Sequence, residues 1–140
     1  MKIVGFVVSI TLLLTCLQAC RGPIIDDRIS GKYRMLAIDN YEQAALEYEA
    51  DNGAGTEIIA EGVCAVGYND KYIIAKQHPV VQNKVDRSVT NYFIVTIQLS
   101  PGKDEPFLPA APLSLKDFET QKHRLGIDDL AFTKVYYTID

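Results

Sequence analysis

The sequence predicts an α+β fold: a mostly antiparallel sheet of about five to six strands, with one C-terminal helix before the last strand. Three observations predict it. Short apolar runs with two-residue alternation recur between turn residues; one late segment carries the start and stop signals of a helix; and one more apolar run follows that helix. The chain has 140 residues, and about 120 remain once an apolar leader is set aside, enough for one core and not for two.

Taken in order, residues 1–19 read as a removable signal peptide, 20–30 as a tether and 31–140 as a single globular domain. "RGPIIDDRIS", Arg21 to Ser30, carries a Gly-Pro pair and charges that suit an extended linker. "KYRMLAID", Lys32 to Asp39, reads as the first strand. "QAALEYEA" is ambiguous, since Ala and Glu favour helix. It is read as a strand because Leu46 and Tyr48 alternate with Glu47 and Glu49, and because "DNG" follows, a strong hairpin signal. "EIIAEGVCAVGY", Glu57 to Tyr68, is expected to be one strand, with Gly62 marking a bulge or close packing. Asn69-Asp70 then turns the chain into "KYIIAKQH" as a hairpin. "TNYFIVTIQL" is the clearest strand, with Phe93, Val95, Ile97 and Leu99 on its core side.

The helix is signalled by Ser114 as cap, Asp117 three residues on, and Leu113 and Phe118 placed as a staple. Leu115, Phe118 and Leu125 would share its apolar face. Lys122, His123 and Arg124 fill its last turn, where the helix dipole favours cations, and Gly126 stops it. "LAFTKVYYTI" closes the fold as a strand.

The leader sets the cellular context. Lys2 precedes an apolar run, Ile3 to Leu17, that is short of the roughly 20 residues a permanent span requires. A charged start, a short apolar stretch and a small residue at its end describe a secretory signal. The end of the run, "LQAC", resembles the lipobox of bacterial lipoproteins, with Gln18 where a smaller residue is usual. That resemblance implies a lipid on Cys20, and two or three acyl chains at about 0.8 kcal/mol per buried methylene hold a protein on a bilayer. The three cysteines agree. Cys16 leaves with the leader, Cys20 is taken by lipid, and Cys64 is left without a disulfide partner and is expected to be buried. Fourteen basic against 18 acidic side chains give a net charge of −4, and no Lys/Arg run follows a phosphate backbone, so nucleic acid is not an expected partner.

Little in the chain reads as catalytic. Cys64 and His78 would be the nucleophile and base of an enzyme, but Cys64 lies in an apolar strand with no cation in sequence to activate it. His78 and His123 have no companions at ligand spacing, so neither a metal nor a cofactor is expected. Lys76, Gln77 and His78 are the candidate binding residues. The bland reading makes them a strand end whose Gln and His bond the next loop's backbone; the functional one makes them a patch for an anion or a partner's carboxylate. A second candidate surface is Phe107, on the proline-rich loop Ser100 to Leu113, which either covers the core or offers a semi-rigid contact face.

With "AVGYNDKYIIAKQHP", "NYFIV" and "PLSLKDFETQKHRLGI" in this order between Ala65 and Tyr137, the chain resembles a family of small bacterial lipoproteins that carries only a domain-of-unknown-function label. Ala111 stands where Gly commonly precedes the "PL". The resemblance implies location and fold and supplies no catalytic residues. The expectation is a monomeric, lipid-anchored, non-enzymatic binding or accessory module of the cell envelope, on the outer membrane where the host has two. The alternatives are an inhibitor or immunity lipoprotein acting on an envelope enzyme, and an enzyme using Cys64 and His78.

Overall fold

The two-residue alternation becomes two sheets facing one another across a shared core. A computed structural model describes residues 22–98 and 109–138. The first sheet has the order β1 (Ile25–Ser30), β2 (Tyr33–Ala37), β3 (Ala45–Glu49), β4 (Gly55–Ile59), each antiparallel to the next. The second contains β5 (Val63–Tyr68), β6 (Tyr72–Gln77), β9 (Asn91–Thr96) and β10 (Lys134–Val135), ordered β10-β5-β6-β9. A small hairpin, β7 (Val80–Val81) and β8 (Lys84–Val85), stands apart, and one helix, α1 (Leu115–Leu125), follows β9.

Ile25, Ile29, Tyr33, Met35, Leu46 and Ile59 of the first sheet pack with Val66, Ile73, Ala75, Phe93 and Val95 of the second. Each such large aliphatic side chain contributes about 1.5–3 kcal/mol on burial. The other face of the second sheet is covered by α1. Phe118 packs with Ile74 and Ile127, and with Tyr92 and Ile94. Its ring lies 5.0 Å from that of Tyr92 and 6.1 Å from that of Phe132. A sheet covered on both faces calls for a continuous apolar strand, and Tyr72-Ile73-Ile74-Ala75 is one.

The expected antiparallel α+β class holds, but not the single sheet of five to six strands: ten strands form three sheets among the described residues. Four departures explain the difference. Ile25–Ser30, expected in the tether, is strand β1, with Ile25 and Ile29 in the core and Asp26, Asp27 and Arg28 between them. Charged residues concealed the alternation.

The segment Glu57 to Tyr68 is two strands in different sheets, divided at Gly62. Its φ of +97° lets the chain leave the first sheet and enter the second. The β7–β8 hairpin turns on Gln82 and Asn83, with φ of 50° and 60°. Such turns usually show glycine or an Asn-Gly pair, so this one carried no signal.

The last run pairs as a strand only at Lys134 and Val135, where the Thr133 and Tyr136 amides donate to the Val66 and Cys64 carbonyls of β5 at 2.9 Å each. Lys134 Nζ donates to both oxygens of Asp27 at 2.8 Å, and the Tyr136 hydroxyl donates to the same carboxylate at 2.8 Å, tying the two sheets together.

The helix keeps its signals. Ser114 caps it by accepting from the Asp117 amide at 3.1 Å, and Gly126 ends it at φ +67°. Leu115, expected on the apolar face, is exposed instead, because Phe118 and the stem of Lys122 form the buried face.

Candidate functional site

Gly62, His78 and the C-terminal segment frame a place where Cys64, Lys76 and His78 meet. A Cβ at Gly62 would stand 2.0 Å from the His78 carbonyl oxygen, so only glycine permits the approach. The Gly62 carbonyl accepts from the His78 amide at 3.0 Å and from the Tyr137 hydroxyl at 2.7 Å. One crossing thus fixes the end of β6 and the wall formed by Tyr137.

Beyond the part of the second sheet that α1 covers lies an open cleft of about 340 Å³. Cys64 and Ala65 come from β5, Lys76 from β6 and His78 from just after it; Phe132, Val135, Tyr137 and Thr138 line it from the C-terminal segment. A bulge gives Cys64 its place. Val63 opposes Gln77 and Ala65 opposes Lys76, which leaves Cys64 as the extra residue.

The trio Lys76-Gln77-His78 is divided. Gln77 is turned away from the cleft and buried, and its amide nitrogen donates to the Ala60 and Glu61 carbonyls at 2.9 Å each. Its oxygen accepts from Asn91 at 3.2 Å. Every group of that amide is spent on holding the bend between β4 and β5 to the sheet. Lys76 lines the cleft, and no carboxylate among the cleft's lining residues pairs with it.

His78 is 3% exposed. Its Nδ1 lies 2.8 Å from the Val89 carbonyl oxygen, which can only accept, so Nδ1 carries the proton. Among the described residues none partners Nε2, although it is buried. That is uncommon, because nearly all buried polar side-chain atoms have partners.

Cys64 shares the cleft. Its thiol donates to the Lys76 carbonyl at 3.3 Å. Burial pushes the thiol above its ordinary value, more strongly than the nearby Lys76 charge pulls it down. Burial likewise pushes the Tyr137 phenol well above its usual range. His123, the other histidine, is exposed at the end of α1, 3.3 Å from Asp128. Among the described residues no three His, Cys, Asp or Glu side chains come together as a metal site, and no helix is long and apolar enough to cross a membrane. Cys20 and Phe107 lie outside the described residues.

Sequence reasoning singled out Lys76, His78 and Cys64 but missed Phe132, Val135 and Tyr137. Those three reach the cleft only because β10 pairs with β5 across the sheet, which no local pattern announces.

These features define an α+β domain of two facing sheets and a small separate hairpin, with a helix on one face and a small open cleft beside it. A family model described as a protein of unknown function, DUF3997, matches residues 30–136, and the chain belongs to that family. No curated protein and no solved structure matches it.

Proposed function

We propose that the protein is a lipid-anchored module of the bacterial cell envelope that binds a ligand or partner without transforming it. The observation that carries the reading is "LQAC" at the end of the apolar run, set beside the start of β1 at Ile25. Only Arg21 to Ile24 separate Cys20 from folded chain. At about 3.4 Å per extended residue the domain would ride within roughly 17 Å of its anchor. Ile24 and Ile38 are both exposed at that end, and the Ile24 amide bonds the Ala37 carbonyl beside Ile38, so two apolar side chains would face the bilayer. Residue 21 is Arg rather than the Asp associated with inner-membrane retention, which favours the outer membrane where a host has two.

Binding without catalysis suits the cleft. Its thiol is held neutral by burial, and its imidazole is oriented by a carbonyl rather than by a carboxylate. The anchoring is tested by expressing the chain and Cys20→Ser in a bacterial host and weighing the membrane fraction. The unchanged chain should lose residues 1–19 and gain the mass of its acyl chains; Cys20→Ser should stay an unprocessed precursor. Identical processing and mass for both would overturn the reading.

A further inference from the structure

We propose that the end of the two sheets where β1 begins is a bilayer-contact surface, on which Ile24, Ile38, Tyr41 and Val81 enter the lipid interface and hold the domain in one orientation. The proposal rests on the anchor reading above and goes beyond it, since a lipid tether alone leaves a domain free to tumble. Three observations lead to it.

The first is where the exposed apolar surface falls. In the first sheet the start of β1 and the β2–β3 connection share one end, and the turns 31–32 and 50–54 lie at the other. In the second sheet the β4–β5 and β6–β9 connections share one end, and the turn 69–71 lies at the other. The Val63 amide donates to the Ala44 carbonyl at 2.9 Å, which brings the two near ends together. Eight large hydrophobic residues are exposed among those described, and five of them, Ile24, Ile38, Tyr41, Val81 and Val89, belong to these near ends at 41–57% exposure. The far turns hold only Gly, Lys, Ala, Asp and Asn. Large apolar side chains gathered at one end of a domain mark a contact surface.

The second is the route of the chain. Cys20 precedes Ile24 by four residues, so the acyl chains of the anchor would lie beside this end and no other. That proximity favours lipid over a protein as the occupant. The third is the make-up of the surface. Aliphatic side chains sink into the acyl boundary and tyrosine settles at headgroup level. The β7–β8 hairpin and the 3-10 turn Tyr41–Gln43 flank one small pocket and are joined by the Arg87–Glu42 ion pair at 2.8 Å, so Tyr41 and Val81 belong to one surface and a charge of each sign is cancelled there. In the docked pose the strands of the first sheet lead away from the bilayer. At about 3.3 Å per residue, the five residues of β3 carry the 50–54 turn roughly 17 Å from the near end.

The chain contains no tryptophan, so a single one reports its own surroundings. Ile38→Trp, Val81→Trp and Asn52→Trp are each made in the full-length protein, purified with its acyl chains and reconstituted into phosphatidylcholine vesicles, with or without bromine on the lipid chains. Ile38→Trp and Val81→Trp should emit at shorter wavelength in vesicles and lose intensity to bromine. Asn52→Trp, at the far end, should emit as in water and lose none. Ile24→Ser and Ile38→Ser, placed together in the Val81→Trp chain, should remove much of its quenching. Water-like emission from all three variants in acylated, vesicle-bound protein would overturn the contact surface and leave the anchor standing. Emission at shorter wavelength without bromine quenching would give the surface to a protein, a second copy included, and overturn the bilayer as its occupant. Protein that lacks acyl chains by mass and stays off the vesicles would overturn the anchor and this proposal together.

Discussion

Replacing Gly62 by alanine isolates what the crossing of the two sheets contributes. The control is Gly53→Ala. Both glycines have positive φ, +79° at Gly53 and +97° at Gly62, but a Cβ at Gly53 meets nothing within 4 Å. Left-handed backbone costs an ordinary residue about 1–2 kcal/mol, partly offset by a stiffer unfolded chain. Gly53→Ala should therefore lose about 1 kcal/mol. At Gly62 the same cost is joined by a Cβ 2.0 Å from the His78 carbonyl oxygen, a backbone atom that must retreat by more than an ångström. The retreat opens the bonds from the His78 amide and the Tyr137 hydroxyl to the Gly62 carbonyl. Each contributes about 1 kcal/mol, so the total loss should be about 3–4 kcal/mol. At about 4 °C per kcal/mol for a domain of this size, Tm should fall by about 12–16 °C for Gly62→Ala and by about 4 °C for Gly53→Ala. Reversible thermal unfolding followed by circular dichroism measures both. Equal losses for the two variants would refute the close approach, and with it the account of how His78 and Tyr137 are positioned.

Three further outcomes are expected. Burial opposes the charge on Asp27, but the bonds from Lys134 and Tyr136 outweigh it and hold the carboxyl below its ordinary value. Its contribution is then present above the unfolded value near 3.9 and fades as pH falls below it. Asp27→Asn should cost about 1 kcal/mol at neutral pH, allowing for its part exposure, and the gap in urea midpoints should close between about pH 5 and pH 2; a gap independent of pH would contradict this. Cys64, buried and bonded to a carbonyl, should resist iodoacetamide in the native state and react fully in urea, as read by mass; equal rates would revive a reactive thiol. Phe118→Ala empties the space between Tyr92 and Phe132, and should cost about 3–5 kcal/mol in urea unfolding; a loss under about 1 kcal/mol would mean that α1 does not depend on this contact.

Local chemistry accounts for what was legible. Ser114, Asp117 and Gly126 act within one turn of their own positions, so helix α1 could be read with its ends. The Asn69-Asp70 turn and the alternation of β6 and β9 likewise depend on neighbours a few residues away. Even the ambiguous "QAALEYEA" resolved correctly, because Leu46 and Tyr48 alternate at a strand's period and both are buried. Reading β1 failed where charge masked alternation, and Leu115 was misplaced because the helix turns Phe118 and Lys122 inward.

By itself the sequence determined the class of fold, the helix with its caps, the clearest strands, and which polar trio merited a test, since all of these follow from the geometry of adjacent residues. Tertiary structure alone decided that the strands divide into facing sheets at Gly62, that Gln77 braces a bend while one His78 nitrogen has no partner among the described residues, and that Phe132 and Tyr137 complete a cleft with Cys64 and Lys76. The reason is that a residue's backbone preference is set by its neighbours in the chain. Its partners in space are set by pairings such as Asp27 with Lys134, 107 positions apart, which no local pattern encodes.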